Sequence, residues 1–240
     1  MTDERGITAN KEWATRWLSE ARLRPYLDAC EGDIDLALEL HEWNLGLGRA
    51  LMGDIAHLEL ALRNAYDRAL TDEGGQHWLF DPNSPVTSPI VRKSKSGKER
   101  DVNLVNRRAI ADAMSRAHDP CDPNQIVAGL TLGFWAHMTD RSRERALWIP
   151  HLHKAWPVGT DRAALNLRLS AANKLRNRVA HNERLFNPGA KGCSPKSVDT
   201  DIIEMFTALC PDAAARLSNG TSPAIDGYLE QHPAPVEVEL

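Results

Sequence analysis

The chain has 240 residues, a formal net charge of −4 and four cysteines. Its length suits one large or two modest domains with a substantial core. The small negative charge argues against a general nucleic-acid coating protein, because such binding rests on many phosphate contacts. The cysteines lie far apart and form no metal-binding pattern, so we expect neither a metal nor another cofactor. The absence of a long apolar run or a leader-like start predicts a cytoplasmic protein that does not enter a membrane.

Helical periodicity dominates the first part of the chain. The pattern predicts a first helix over Lys11–Ala29, with a break or a new start at Pro25. Asp33 is expected to cap a longer helix that is interrupted at the glycine-containing residues 44–48 and resumes as far as Leu70.

Two charged residues of this second helix, Glu59 and Arg63, are four positions apart. That spacing is typical of an exposed ion pair, which contributes little stability. The alternative is that the two residues, together with Asn64, orient a functional site. The sequence pattern leaves both interpretations open.

Residues 74–101 form the least helical stretch, with several prolines and a series of basic residues. This composition predicts a long loop or a small hairpin. A solvated charged loop is the default interpretation. The alternative is that cations such as Arg92 and Lys93 hold an RNA backbone.

The second half of the chain returns to helical patterns. One helix is predicted over Val102–His118, and Asp122 followed by proline marks the start of a mostly apolar one. Farther on, Asp199 or Thr200 is expected to cap a helix that continues to Leu209. Residues 219–240 are acidic, contain several prolines and predict a C-terminal tail.

The most informative stretch lies between Asp161, a plausible N-cap, and a turn-forming sequence that begins at Asn187. It predicts a helix over residues 162–185. Between 162 and 184, six basic residues oppose the single acidic residue Glu183, which gives a local charge of +5. The apolar residues share one stripe that should face a core: Leu165, Leu169, Ala172, Leu175, Val179 and Phe186.

Polar residues gather near the C-terminal end of this helix. Asn173, Asn177 and His181 lie away from the apolar stripe, and Asn177 and His181 are four apart and able to touch. Arg176 lies near the edge of the stripe, where its charge needs a partner, a phosphate or water. The grouping predicts a functional site. The alternative is a structural helix end in which Arg176 pairs with a nearby glutamate and His181 caps carbonyl groups.

Three short motifs occur in order along the chain: ELALRN at 59–64, LGFW at 132–135 and RNRVAHN at 176–182. Together they resemble the Abi-like (abortive-infection) branch of the HEPN superfamily, over about residues 15–210. The resemblance implies an all-α, HEPN-like helical bundle with additional helices, which would occupy residues 1–218.

The resemblance also implies a metal-independent endoribonuclease that acts in phage defence or as a toxin. Such cleavage needs proton transfer at the ribose 2′-hydroxyl and at the leaving oxygen, and positive charge at the phosphate. An imidazole such as that of His181 suits the proton steps, and the guanidinium of Arg176 suits the phosphate. Asn177 would orient the ring or bind the phosphate. The alternative is a catalytically silent HEPN-like module that binds RNA or a protein.

One imidazole per chain serves two proton transfers poorly. The resemblance therefore implies a homodimer in which the helices that carry Arg176 and His181 face each other, with RNA as substrate and an antitoxin or other regulator as a further partner.

The remaining candidate residues fall into two groups. Supporting residues are Glu59, Arg63, Asn64 and Asn173, and RNA-binding residues are Lys174, Arg178, Arg184, Arg92 and Lys93.

Overall fold

The structure, a computed structural model, describes residues 12–71, 76–93, 97–189, 193–217 and 221–240, and most of them are helical. The helices are α1 (12–18), α2 (Glu20–Ala29), α3 (Ile34–Leu70), α4 (Leu104–Arg116), α5 (Pro123–Ala128), α6 (Leu132–Ala136), α7 (Arg162–Ala180), α8 (Pro195–Leu209), α9 (Pro211–Arg216) and α10 (Ala224–Gln231). Short 3-10 and π-helical turns lie between residues 137 and 155. None of the described helices is long and apolar enough to span a bilayer.

The predicted all-α class is confirmed, and the only strands in the described part of the chain form a small hairpin. Strands β1 (Val91–Lys93) and β2 (Glu99–Asp101) pair antiparallel, with Arg92 opposite Arg100. The hairpin lies inside the stretch 74–101, where the sequence predicts a long loop or hairpin.

The chain divides into two compact units. The first unit comprises Met1–Asp54, Leu175–Thr200 and Ser222–Leu240, and the second comprises Ile55–Lys174 and Asp201–Thr221. Helices α3, α7 and α8 contribute residues to both units. The predicted boundary between residues 218 and 219 lies outside the described residues.

The first predicted helix breaks at a different residue from the one expected. Pro25 lies inside α2, whereas Ser19 separates α1 from α2 and has a positive φ of 66°. The left-handed conformation turns the chain at a residue that is not glycine. The prediction of a break or a new start at Pro25 is therefore wrong.

Helix α3 begins as predicted but is not interrupted. The Asp33 carboxylate accepts hydrogen bonds from the backbone N–H groups of Asp35 and Leu36, at 3.0 and 3.1 Å. The helix then runs unbroken through Gly46 and Gly48. A Cβ at Gly46 would lie 2.1 Å from the hydroxyl oxygen of Tyr228, so this glycine permits close packing rather than ending the helix.

The C-terminal residues of the first unit include the helix α10, which packs against the N-terminal part of α3. The Tyr228 hydroxyl donates to the carbonyl of Trp43 at 2.9 Å, and the Trp43 indole N–H donates to the carbonyl of His232 at 2.8 Å. Farther on, Asn187 and Glu239 exchange two hydrogen bonds, each of 2.8 Å. Contacts within the first unit thus hold the acidic tail at several points.

Asp199 does not cap α8, because that helix starts four residues earlier at Pro195. Its carboxylate accepts from the N–H of Ile225 at 3.2 Å, and that of Asp54 accepts from the N–H of Ala224 at 2.7 Å. Two buried carboxyl groups therefore cap the start of α10. Burial and the neighbouring Asp54 raise the pKa of Asp199 to about 7.

The second unit has an aromatic core and a buried polar network. Trp78 and Trp135 lie in that core with ring centroids 6.1 Å apart. The network anchors the segment before the hairpin, since the Asn103 amide donates to the carbonyls of Pro85 and Ser88 at 2.9 and 2.8 Å. The buried Arg143 donates to the Asn103 side-chain oxygen at 3.1 Å.

Candidate functional site

The apolar stripe predicted for α7 is confirmed. Leu165, Leu169, Ala172, Leu175 and Val179 are all buried, as is Phe186 in the segment that follows. The helix itself ends at Ala180, however, and not near residue 185.

A hydrogen-bonded turn explains the earlier end of α7. Asn182 has a positive φ of 50°, and its N–H donates to the carbonyl of Val179 at 3.0 Å. The N–H of Glu183 reaches back to the carbonyl of Arg178 at 2.8 Å. These two bonds form a Schellman motif, in which a left-handed residue satisfies the last carbonyls of a helix. His181 is consequently the C-cap residue of α7, and its side chain is exposed.

The structure joins two of the three predicted catalytic residues directly. The Arg176 guanidinium donates to the Asn177 side-chain oxygen at 3.2 Å. Asn177 is exposed and Arg176 is half-buried. The backbone N–H of His181 donates to the carbonyl of Asn177 at 3.0 Å, which places the imidazole one turn away. Among the described residues, no side-chain hydrogen bond links His181 to Asn177.

Two arginines predicted to bind RNA have partners within the first unit. Arg178 donates to the carbonyl of Arg184, and burial lowers its pKa against the opposing effect of Glu183. Arg184 donates to the carbonyl of Asn187 at 3.2 Å, and its guanidinium lies 5.6 Å from the centre of the Phe186 ring. Arg178 therefore stabilises the turn after α7, whereas Arg184 is exposed to solvent.

The sequence interpretation missed a buried asparagine that fixes the residues after His181. Asn44 is 1% exposed; its amide donates to the carbonyl of Glu183 at 3.2 Å, and its side-chain oxygen accepts from the N–H of Leu185 at 2.8 Å. Both polar atoms of the side chain are thus used to hold one short segment. An asparagine in the middle of an apolar helix pattern is the only sequence signal of this role.

An open cavity of about 390 Å³ adjoins this segment within the first unit. Arg49 and Glu183 are the charged residues among those that line it. Its remaining walls come from α3 and from the end of α7: Asn44, Leu45, Gly48, Met52, Val179, Ala180, Asn182 and Leu185.

The predicted supporting residues belong to the second unit. Among the described residues, no ion pair joins the half-buried Glu59 and Arg63, which does not favour the ion-pair interpretation; Asn64 is exposed. A Cβ at Gly133 would lie 3.1 Å from the side-chain oxygen of Asn173, which indicates that Asn173 packs against the backbone of α6.

Several cations counted in the sequence have partners in the second unit. Arg168 forms ion pairs with Asp201 and Glu204, and Arg162 lies 3.2 Å from Glu144. The local charge of +5 is therefore partly neutralised. Lys174 is exposed.

The two basic hairpin residues are also engaged within that unit. Arg92 donates to the carbonyl of Ser142 at 2.7 Å, and Lys93 lies 3.4 Å from Glu99 across the hairpin. Both side chains are exposed, which leaves them able to exchange these partners for an anion.

No group of three or more His, Cys, Asp or Glu residues within the described ranges could hold a metal ion. Comparison of the chain with known protein families, characterised proteins and solved structures found no match.

Proposed function

We propose that the chain is a metal-independent endoribonuclease of the HEPN type, with a role in phage defence or as a toxin. The observation that carries the proposal is the pairing of Arg176 with Asn177 at the exposed end of α7, one turn before the exposed His181. The resemblance in the motif 176–182 supports it.

The proposed reaction needs no group outside the RNA and the protein. A base removes the proton of the ribose 2′-hydroxyl, the 2′ oxygen attacks phosphorus, and the bond to the 5′ oxygen breaks. The leaving oxygen takes up a proton, and the products carry a 2′,3′-cyclic phosphate and a 5′-hydroxyl. Arg176 binds the phosphate as negative charge accumulates on its oxygens, and His181 transfers a proton.

The contact between Arg176 and Asn177 defines a role for the amide. A guanidinium that donates to a neighbouring side chain loses fewer rotamers when it binds a phosphate, because part of its orientation is already fixed. Asn177 is in this account a positioning residue for Arg176, rather than for the imidazole.

A homodimer supplies the second proton-transfer group. His181 is exposed at the end of its helix, so a second copy of the chain can bring its own His181 to the opposite side of the phosphate. Wild-type protein mixed with an excess of His181→Ala tests this arrangement. Paired sites predict that activity falls below the value expected from dilution alone, whereas independent sites predict unchanged activity per wild-type chain.

The direct test is RNA cleavage in the presence of EDTA by wild type, His181→Ala and His118→Ala. His118 is also exposed but lies outside the motif, so its variant serves as the matched control. The proposal predicts cleavage by the wild type and the control and a loss of at least 100-fold in His181→Ala. Equal cleavage by all three proteins would exclude the assignment of His181.

The second candidate function is a catalytically silent module that binds RNA or a protein. The absence of a side-chain hydrogen bond between His181 and Asn177, both described in the structure, favours it, since Asn177 then does not fix the tautomer of the imidazole. RNA binding by wild type without cleavage in either EDTA or Mg²⁺ would support this candidate.

A further inference from the structure

Two tryptophan side chains stand exposed on α1. Trp13 and Trp17 are 46% and 56% exposed, and their rings stack with centroids 6.1 Å apart and planes 20° from parallel. Such large rings are usually well buried in folded proteins, since burial of their surface is favourable.

The buried face of α1 does not include these two rings. Its other face carries Ala14 and Leu18, which are buried in a cluster with Leu23 and Ile34. In the described part of the first unit, Trp13 and Trp17 are also the only large hydrophobic residues that are exposed.

A series of ring contacts leads from this pair toward the candidate site, entirely within the first unit. Trp17 contacts His41 edge to face at 5.3 Å, and His41 contacts Tyr26 at the same distance. Tyr26 in turn contacts Phe186 at 5.4 Å, and the Arg184 guanidinium lies 5.6 Å from the Phe186 ring. Arg184 is three residues beyond His181.

Positive charge accompanies the rings. Burial raises the pKa of Tyr26 to about 12, and the positive charges of Arg184 and Arg22 act against that rise, which places both cations near this ring. Two of the acidic groups in this region have partners: Glu42 lies 3.6 Å from the ring nitrogen of His41, and Glu20 is paired with Arg24 at 2.9 Å.

We propose that the stacked pair Trp13–Trp17 is a base-stacking platform for single-stranded RNA, with Arg22 and Arg184 contacting phosphates between the platform and the site at Arg176 and His181. This inference rests on the proposed function and names its substrate class. Flat aromatic rings interleaved with cations bind single strands, because every unpaired base offers a face for stacking. Bases within a duplex are stacked on each other and do not offer that face.

Binding is measured on the full chain carrying His181→Ala, in EDTA, so that cleavage cannot consume the probe. The probe is a fluorescently labelled RNA of about 12 nucleotides, within the length that a small binding surface covers, and it is compared with the same sequence as a duplex. Fluorescence anisotropy then gives the dissociation constants. Neither tryptophan belongs to the buried cluster of α1, so we expect their replacement to leave that cluster intact.

The double variant Trp13→Ala/Trp17→Ala is expected to bind the single strand about 5- to 150-fold more weakly for each stacked base that is lost. Val158→Ala removes an exposed apolar side chain of the second unit and is expected to leave binding unchanged. Arg184→Gln should reduce the slope of log K against log salt by about 0.7, the effect of one lost phosphate contact on a single strand.

The proposal would be overturned if the double variant bound the single strand unchanged. It would also be overturned if the His181→Ala protein bound duplex and single strand equally. If affinity is unchanged and the double variant instead shifts from dimer to monomer in sedimentation, the pair is an interface between two copies. Tryptophan-dependent binding without cleavage by wild type would retain the platform and reject the nuclease. Cleavage by the wild type that does not depend on the tryptophans would retain the nuclease and reject the platform.

Discussion

The guanidinium of Arg176 donates to the side-chain oxygen of Asn177 at 3.2 Å, in the last turn of α7, whose C-cap residue is the exposed His181. A lysine cannot both keep this contact and present a planar pair of donors to a phosphate. Arg176→Lys is therefore expected to reduce RNA cleavage about 100- to 1,000-fold. The thermal unfolding midpoint should not change.

The control for this prediction is Arg108→Lys, which changes an exposed arginine of α4. It should cleave RNA as the wild type does. If Arg176→Lys retained full activity, phosphate binding that depends on the planar shape of the guanidinium would be excluded.

The turn after His181 yields a prediction about stability. Asn182 has a positive φ of 50°, which costs an alanine about 1 kcal/mol, while glycine adopts it freely. We expect Asn182→Ala to lower the free energy of unfolding by about 1 kcal/mol and Asn182→Gly to leave it nearly unchanged. Urea denaturation measures both.

Asn64 provides the comparison, because it is an exposed asparagine within α3. Asn64→Ala should stabilise slightly, since alanine has the higher helix propensity. Equal effects of alanine at 64 and 182 would show that the left-handed turn contributes nothing to stability.

Two glycines of α3 should respond in opposite directions to alanine. A Cβ at Gly46 would lie 2.1 Å from the Tyr228 hydroxyl, whereas a Cβ at Gly53 would meet nothing within 4 Å. Gly53→Ala should stabilise by about 0.5 to 1 kcal/mol through helix propensity. Gly46→Ala should instead destabilise by about 1 to 3 kcal/mol, because α10 must move away.

Urea denaturation of both variants checks this pair of predictions. Gly46→Ala/Tyr228→Ala should lose less than the sum of the two single changes, because the clash has then been removed. If the two losses simply added, Gly46 and Tyr228 would not be coupled.

The buried carboxyl pair of Asp54 and Asp199 predicts an unusual pH dependence. The folded pKa of Asp199 is raised from 3.8 to about 7, so the folded state binds more protons than the unfolded state between these values. The stability that this group contributes therefore falls as pH rises from about 4 to 7, and it does not change further above pH 7.

Asp199→Asn removes the charge and keeps an acceptor for the N–H of Ile225. We expect it to stabilise the protein, by about 1 to 3 kcal/mol more at pH 8 than at pH 5. Asp212→Asn, which replaces an exposed carboxylate of α9, should show no such difference. A gain from Asp199→Asn that is the same at both pH values would contradict the raised pKa.

Local signals in the sequence predicted the features that depend on neighbouring residues. The caps at Asp33 and Asp122 are confirmed, since both carboxylates accept from nearby N–H groups. The stripe on α7 is confirmed for the same reason, because helical spacing alone decides which residues share a face.

Features that depend on distant residues were predicted wrongly or missed. Gly46 resembles a helix break until Tyr228, far along the chain, occupies the space beside it. Asp199 has the residue type of an N-cap but caps α10 rather than α8. At the candidate site, helical spacing predicted that His181 follows Asn177 by one turn, but not that α7 ends at Ala180 or that Asn177 pairs with Arg176.

The proposed mechanism depends most on attack by the 2′-hydroxyl, and a single substitution in the RNA tests it. Cleavage sites of the wild type are first mapped on a single-stranded RNA in EDTA, and one site is then rebuilt with a 2′-deoxynucleotide on its 5′ side. We predict that this cut alone disappears, while the other cuts persist and leave 2′,3′-cyclic phosphate ends. Continued cleavage at the deoxy position, or a requirement for Mg²⁺, would contradict the proposed chemistry.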